Sequence, residues 1–314
     1  MLFPTPTTYP ISSRAVPMPA ARLAEAQVMA NHPGHVVAEA GGGALVVAES
    51  RRCVLLLHRD YFAHIFVPFA DVRMDLLQEA RPDEVAPYAD CAGIRFWHVP
   101  AADGGHVPFG AWSYDFGGVG SSGGGDGTGV PARPELAGRL TFAFHGLDRY
   151  VIDGRHERAH VRDPRTVFTV TPLGRHLVAG VGGQVVVDSR AALRLTESDY
   201  QDRYYVPEAD IAMDLLVPSD RVTVCAYKGE ARYHHLKIGD RVWENAFWDY
   251  PQPWTDYADC FARIRGHHGF FTTMLETTLD GRPDVPDQQA AATDRRMRAN
   301  PNADRLARAR AGVT

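Results

Sequence analysis

Residues 43–77 read GALVVAESRRCVLLLHRDYFAHIFVPFADVRMDLL, and residues 182–216 read GGQVVVDSRAALRLTESDYQDRYYVPEADIAMDLL. The two strings align without a gap at a constant offset of 139, and sixteen of the thirty-five positions are identical. Identities include Ser50/Ser189, Arg51/Arg190, Asp60/Asp199, Tyr61/Tyr200, Val67-Pro68/Val206-Pro207, Asp71/Asp210 and the run Met74 to Leu77 against Met213 to Leu216. Self-similarity of this length means one folding unit present twice. Its apolar runs are short. Residues 44–48, 54–57 and 65–67 in the first repeat, and 185–187, 203–206 and 222–227 in the second, read as short β-type runs. Residues 231–236 and 241–245 flank Ile238-Gly239-Asp240, a good hairpin turn. Short strands with turn signals roughly every ten residues predict an all-β unit.

The chain has 314 residues, enough for two such domains, each with a core of its own. The expected organisation is an N-terminal extension over 1–34, a degenerate first repeat over 35–155, a second repeat over 156–282 and a mobile polar tail over 283–314. One short helix is expected within 19–31. A net charge of -5, with the charges scattered rather than blocked, argues against nucleic acid as a partner. No run approaches the roughly 18 apolar residues of a membrane span, and Met1 is not followed by a charged and then apolar leader, so a soluble cytoplasmic protein with no membrane partner is expected. Cys53, Cys91, Cys225 and Cys260 stand singly, which argues against a zinc knuckle and a disulfide scaffold. His234-His235 and His267-His268 are adjacent pairs whose members point to opposite faces of a strand, so neither pair chelates easily. Neither a metal nor a cofactor is expected.

Two motif matches fail on context. His156-Glu157-Arg158-Ala159-His160 fits H-E-x-x-H, a zinc site only when both imidazoles share one helical face, yet Gly154 and Pro164 leave no room for a stable helix. Gly118 to Gly123 fits G-x-G-x-x-G, but more glycines follow where a phosphate-binding helix would begin. That run is expected to be a loop insertion.

The repeats differ most informatively after Leu216. Carrying the offset on sets Cys225-Ala226-Tyr227-Lys228-Gly229-Glu230-Ala231 against residues 86–92, where tyrosine and the last alanine persist but the thiol, ammonium, glycine and carboxylate do not. A position needed by the fold should resist loss in either repeat, so this cluster points to chemistry. Lys228 and Lys237 are the only lysines among 33 basic residues, and an ammonium is compact and tunable in a way a guanidinium is not. On a straight strand Lys228 would pair with Glu230 and turn away from Cys225. Only a bulge or turn at Gly229 would bring ammonium and thiol together.

Cys225 to Tyr233, Arg203-Tyr204-Tyr205-Val206-Pro207, the Asp188-Ser189-Arg190 turn and Trp248-Asp249-Tyr250-Pro251 resemble the family called domain of unknown function 427, and the resemblance covers both repeats. It implies tandem β-tent domains, two antiparallel sheets meeting at an angle, as in methionine sulfoxide reductase B and other Mss4-like folds. The zinc-binding cysteine pairs common in those relatives are missing here. The family also carries a nucleotidyltransferase-like label, but the chain shows no Gly-Ser followed by paired catalytic carboxylates. The expected site lies in the second repeat: Cys225, Lys228 and Glu230 for chemistry, with Tyr205, Tyr227, Tyr233, Trp248, Tyr250 and Arg190 for a small-molecule ligand. Two readings stay open, an enzyme or enzyme-like protein using Cys225 as nucleophile, and a non-catalytic protein using the same cleft for binding or scaffolding.

Overall fold

A computed structural model describes residues 17–18, 20–58, 61–85, 93–114, 133–198, 200–286, 288, 291–292 and 294–295. Residues 86–92 and the glycine run at 118–129 lie outside the described residues. The chain divides into two compact units between Asp163 and Pro164, past the boundary near 155 that the sequence suggested.

The first unit carries a short helix α1 (Ala20–Glu25) and strands β1 (Gln27–Ala30), β2 (Val36–Ala40), β3 (Leu45–Ser50), β4 (Val54–Leu57), β5 (His64–Pro68), β6 (Gln78–Glu79), β7 (Ile94–Pro100), β8 (His106–Tyr114), β9 (Arg139–Phe142), β10 (Arg149–Ile152) and β11 (Arg155–Glu157). The second carries β12 (Phe168–Pro172), β13 (Leu177–Val181), β14 (Gln184–Ser189), β15 (Leu193–Glu197), β16 (Arg203–Pro207), β17 (Leu216–Cys225), β18 (Gly229–Ile238), β19 (Arg241–Asp249), β20 (His267–Phe270), β21 (Glu276–Leu279) and β22 (Arg282–Pro283). Each unit is a seven-stranded antiparallel sheet with a four-stranded one. The large sheets run β1-β4-β5-β9-β8-β7-β6 and β12-β15-β16-β20-β19-β18-β17, the same path twice. The protein is a tandem of all-β domains.

The shared residues of the aligned block explain why both units close alike. Ser50 Oγ donates to Asp71 at 2.6 Å and Ser189 Oγ to Asp210 at 2.6 Å, each serine also accepting a backbone N–H two residues on. These bonds fasten the turn after β3 or β14 to the 3-10 turn after β5 or β16. The two Asp-Gly-Arg segments turn with both central residues at positive φ, and their aspartates accept from the backbone of His35 and His176. In the second unit, Tyr204, Val206, Phe247, Phe270 and Leu236 line one face of the large sheet and pack with Leu177, Ala179 and Val187 of the small one. Alternation sends Arg203, Tyr205 and Trp248 to the opposite face. That face carries the expected site.

The H-E-x-x-H segment is not helical. His156 and Glu157 belong to β11, Glu157 is buried in an ion pair with Arg162 at 2.8 Å, and Ala159 sits at φ 70°. The segment from Pro283 on was expected to be mobile, yet Asp294 is buried, accepting from Gln201 at 2.6 Å and Thr273 at 2.7 Å and pairing with Arg203.

Candidate functional site

Strand pairing sets Tyr205, Gly269, Trp248 and Tyr233 in one row across β16, β20, β19 and β18. The row depends on its glycine. A side chain at Gly269 would bring a carbon within 2.5 Å of the Trp248 ring, so the indole occupies the space above that strand. From there Trp248 Nε1 donates to the Tyr205 hydroxyl at 3.2 Å, the rings meeting edge to face. The Arg203 guanidinium stands 5.9 Å from the Trp248 ring centre, and Arg221 stands 4.8 Å from that of Tyr233, whose hydroxyl shares a hydrogen bond with Thr223.

The cluster from Cys225 to Gly229 closes one end of this face. Cys225 and Gly229 are cross-strand partners, so Ala226, Tyr227 and Lys228 form the turn between β17 and β18. Gly229 adopts φ +115°, a conformation other residues rarely take, and Trp254 N–H donates to the Lys228 carbonyl at 3.0 Å. The turn puts Lys228 on the thiol side. Its Nζ donates to Glu197 Oε2 at 2.8 Å and lies 4.9 Å from the Phe168 ring centre. Burial opposes the charge on Lys228, but the negative fields of Cys225, Glu197 and Tyr205 outweigh it and hold its pKa above the ordinary lysine value. At neutral pH the residue is therefore a cation. Cys225 remains partly exposed.

Burial also governs the phenols. It pushes Tyr205 up to about 12, against the nearby Lys228 charge, and raises Tyr250 well above its usual value with help from the Cys225, Tyr205, Tyr233 and Glu197 charges. Both stay protonated at neutral pH. Tyr227 turns toward Tyr257 and Phe168, at ring-centre distances of 4.9 and 5.0 Å, and its hydroxyl meets Thr166 at 3.4 Å.

Two expected members stand apart. Glu230 is exposed, and Glu197 takes the role of partner to Lys228. Arg190 is exposed at the turn after β14, where its charge acts on Asp280 beside the small sheet. The aromatic members are packed rather than spread around an open cleft, Tyr205, Tyr233, Trp248 and Tyr250 being 5 % exposed or less. Shallow depressions of about 470 and 480 Å³ lie instead along residues 272–278 and 283–286, with Ala291 and Arg295. Glu197 was missed, although a signal existed: inside the aligned block it faces His58.

The first unit repeats the row without its two phenol hydroxyls. Phe66, Thr141, Trp112 and Phe96 occupy it. Trp112 Nε1 is buried with no hydrogen-bond partner, and so is the Thr141 hydroxyl.

On the other face of the second unit's large sheet, His234, Asp249 and His268 bring one donor atom each within 4.8 Å of one another. Each adjacent histidine pair thus contributes one member. The corresponding places in the first unit hold Trp97, Ser113 and Leu140.

Fold and site together define a tandem all-β protein whose second repeat alone keeps a buried lysine beside a thiol. Residues 28–118 and 169–281 match the family described as Domain of unknown function (DUF427), and the chain belongs to that family. No curated protein matches the chain.

Proposed function

We propose that the second repeat is an enzyme-like small-molecule module in which Cys225 is the reactive group and Lys228 its fixed cation. The observation that carries this reading is the Lys228 ammonium, buried and ion-paired to Glu197, next to a thiol that solvent still reaches. Reactive cysteines sit in electropositive, partly exposed surroundings of this kind. A lysine held protonated is a poor base or amine nucleophile, so its role is electrostatic: it anchors an anionic group of the ligand beside the Cys225 thiol. Tyr205, Tyr227, Tyr233, Trp248 and Tyr250 form the wall behind it. Ligand entry then means displacing packed side chains or working at the solvent edge beside Cys225.

The tight packing of that wall favours a second reading, a non-catalytic module in which the ion pair is structural and a ligand or partner rests on the rim. Alkylation rates separate the two. Cys260 is the internal reference, being partly exposed like Cys225 but with a pKa raised chiefly by burial. At pH 7 iodoacetamide is expected to modify Cys225 about tenfold faster than Cys260, with the advantage lost in Lys228→Met, as read by peptide mass spectrometry. Equal rates in the native chain would leave the non-catalytic reading. The reading also takes the units to be β-tents of the Mss4-like kind working in the cytoplasm, the tent being tested by the crossing angle of the two sheets in an experimental structure and the location by cell fractionation.

A further inference from the structure

The second unit's large sheet has a second polar cluster, on the face opposite Cys225 and Lys228. His268 pairs with Val206 and Asp249 across β16, β20 and β19, and His234 pairs with Phe247 two residues before Asp249. All three side chains therefore point to the core face, at the end where that face reaches solvent: Asp249 and His234 are about 20 % exposed in their side chains, His268 only 2 %. Nδ1 of His234 and Nδ1 of His268 are both buried without a hydrogen-bond partner. The Asp249 carboxylate comes no closer to His234 Nδ1 than 3.9 Å, too far for a hydrogen bond. Two orphaned imidazole nitrogens beside a carboxylate are costly unless something is shared between them.

We propose that His234, Asp249 and His268 form a binding site for a single divalent transition-metal ion of the zinc and iron class, with coordination positions left open to water or substrate. Two imidazoles and one carboxylate are the ligand set of open, catalytic-type sites of these metals, and magnesium or calcium would call for more oxygen donors. Metal–ligand bonds of about 2.0–2.2 Å set donors about 3.3 Å apart in a tetrahedron, so a cluster spanning 4.8 Å closes on an ion through side-chain rotation of about an ångström. The first unit replaces all three ligands by Trp97, Ser113 and Leu140, so the site belongs to the second repeat alone.

The purified full chain, stripped with chelator, is titrated with Co²⁺ and followed by its visible d–d absorption, then with Zn²⁺ by calorimetry. One equivalent is expected to bind at micromolar or tighter affinity, and His268→Asn and Asp249→Asn each to weaken it about a hundredfold. His267→Gln, changing the neighbour on the other face, is expected to leave it unchanged. Lack of saturable binding to the native chain below about millimolar metal overturns the site whatever the variants do. Binding that both ligand variants retain also overturns it, marking an adventitious ion only. Neither result bears on Cys225, whose alkylation is measured in the metal-free chain.

Discussion

At the scale of single residues, the duplication supplies its own control for the worth of one hydroxyl. Tyr205 and Phe66 hold equivalent places beside Trp248 and Trp112, and only the tyrosine accepts an indole N–H. Tyr205→Phe is expected to destabilise the second unit by about 1–3 kcal/mol, because the Trp248 nitrogen is then buried unpaired. Phe66→Tyr should not recover such a bond, since Thr141 stands where the second unit has Gly269 and the new hydroxyl must fit a packed site. Urea unfolding with the two variants in parallel checks this. Equal effects of both would mean that packing, not the hydrogen bond, sets the cost. The sequence made Tyr205 visible as an aromatic in a tyrosine-rich strand. It could not show the bond, because the acceptor and donor are 43 residues apart and meet only through the empty space above Gly269.

At the scale of elements, the turn from Ala226 to Lys228 decides which way the one buried ammonium points. A straight strand would have paired Lys228 with Glu230; the positive φ of Gly229 ends that alternation and delivers the side chain to Glu197 and Cys225. Gly229→Ala would strain this backbone and press on Gln252 and Trp254, so a loss of about 2 kcal/mol is expected, with a fall in the Cys225 alkylation rate. A variant that melts lower but alkylates as before would show that the turn serves stability alone. The strands, the hairpin at Gly239 and the two Asp-Gly-Arg turns were legible because each rests on local chemistry. Glu197, Asp294 and the histidine–aspartate cluster were not, since each joins residues remote in sequence. Composition suggested a loose tail, whereas Asp294 answers the buried Arg203. Asp294→Ala should therefore cost stability by removing the carboxylate that Arg203, Gln201 and Thr273 share, measurable as a lowered urea midpoint.

At the scale of the whole molecule, the two units share a strand order but not an electrostatic design, and acid should tell them apart. His64 lies fully buried in the first unit against the edge of Trp112, its Nε2 without a partner, and burial lowers its pKa to about 4. Because the unfolded chain takes up the proton near pH 6.5 and the folded unit only near pH 4, the stability His64 permits is full above pH 6.5. It drains away as pH falls through that window, by about 2 kcal/mol at pH 5. In the second unit burial lowers His268 in the same sense but raises Asp249 in the opposite one, since a carboxyl that holds its proton more tightly when folded stabilises the acid side. Those two contributions oppose each other. Hydrogen exchange in β4, β5 and β9, converted to opening free energies at pH 7.5 and pH 5, is expected to show the first unit losing more stability than β16, β19 and β20 of the second. His64→Met should remove the excess, because an apolar side chain of similar size has no proton to gain. If the first unit weakens by the same amount with methionine at that position, the acid sensitivity belongs to other groups and the buried imidazole is electrostatically silent.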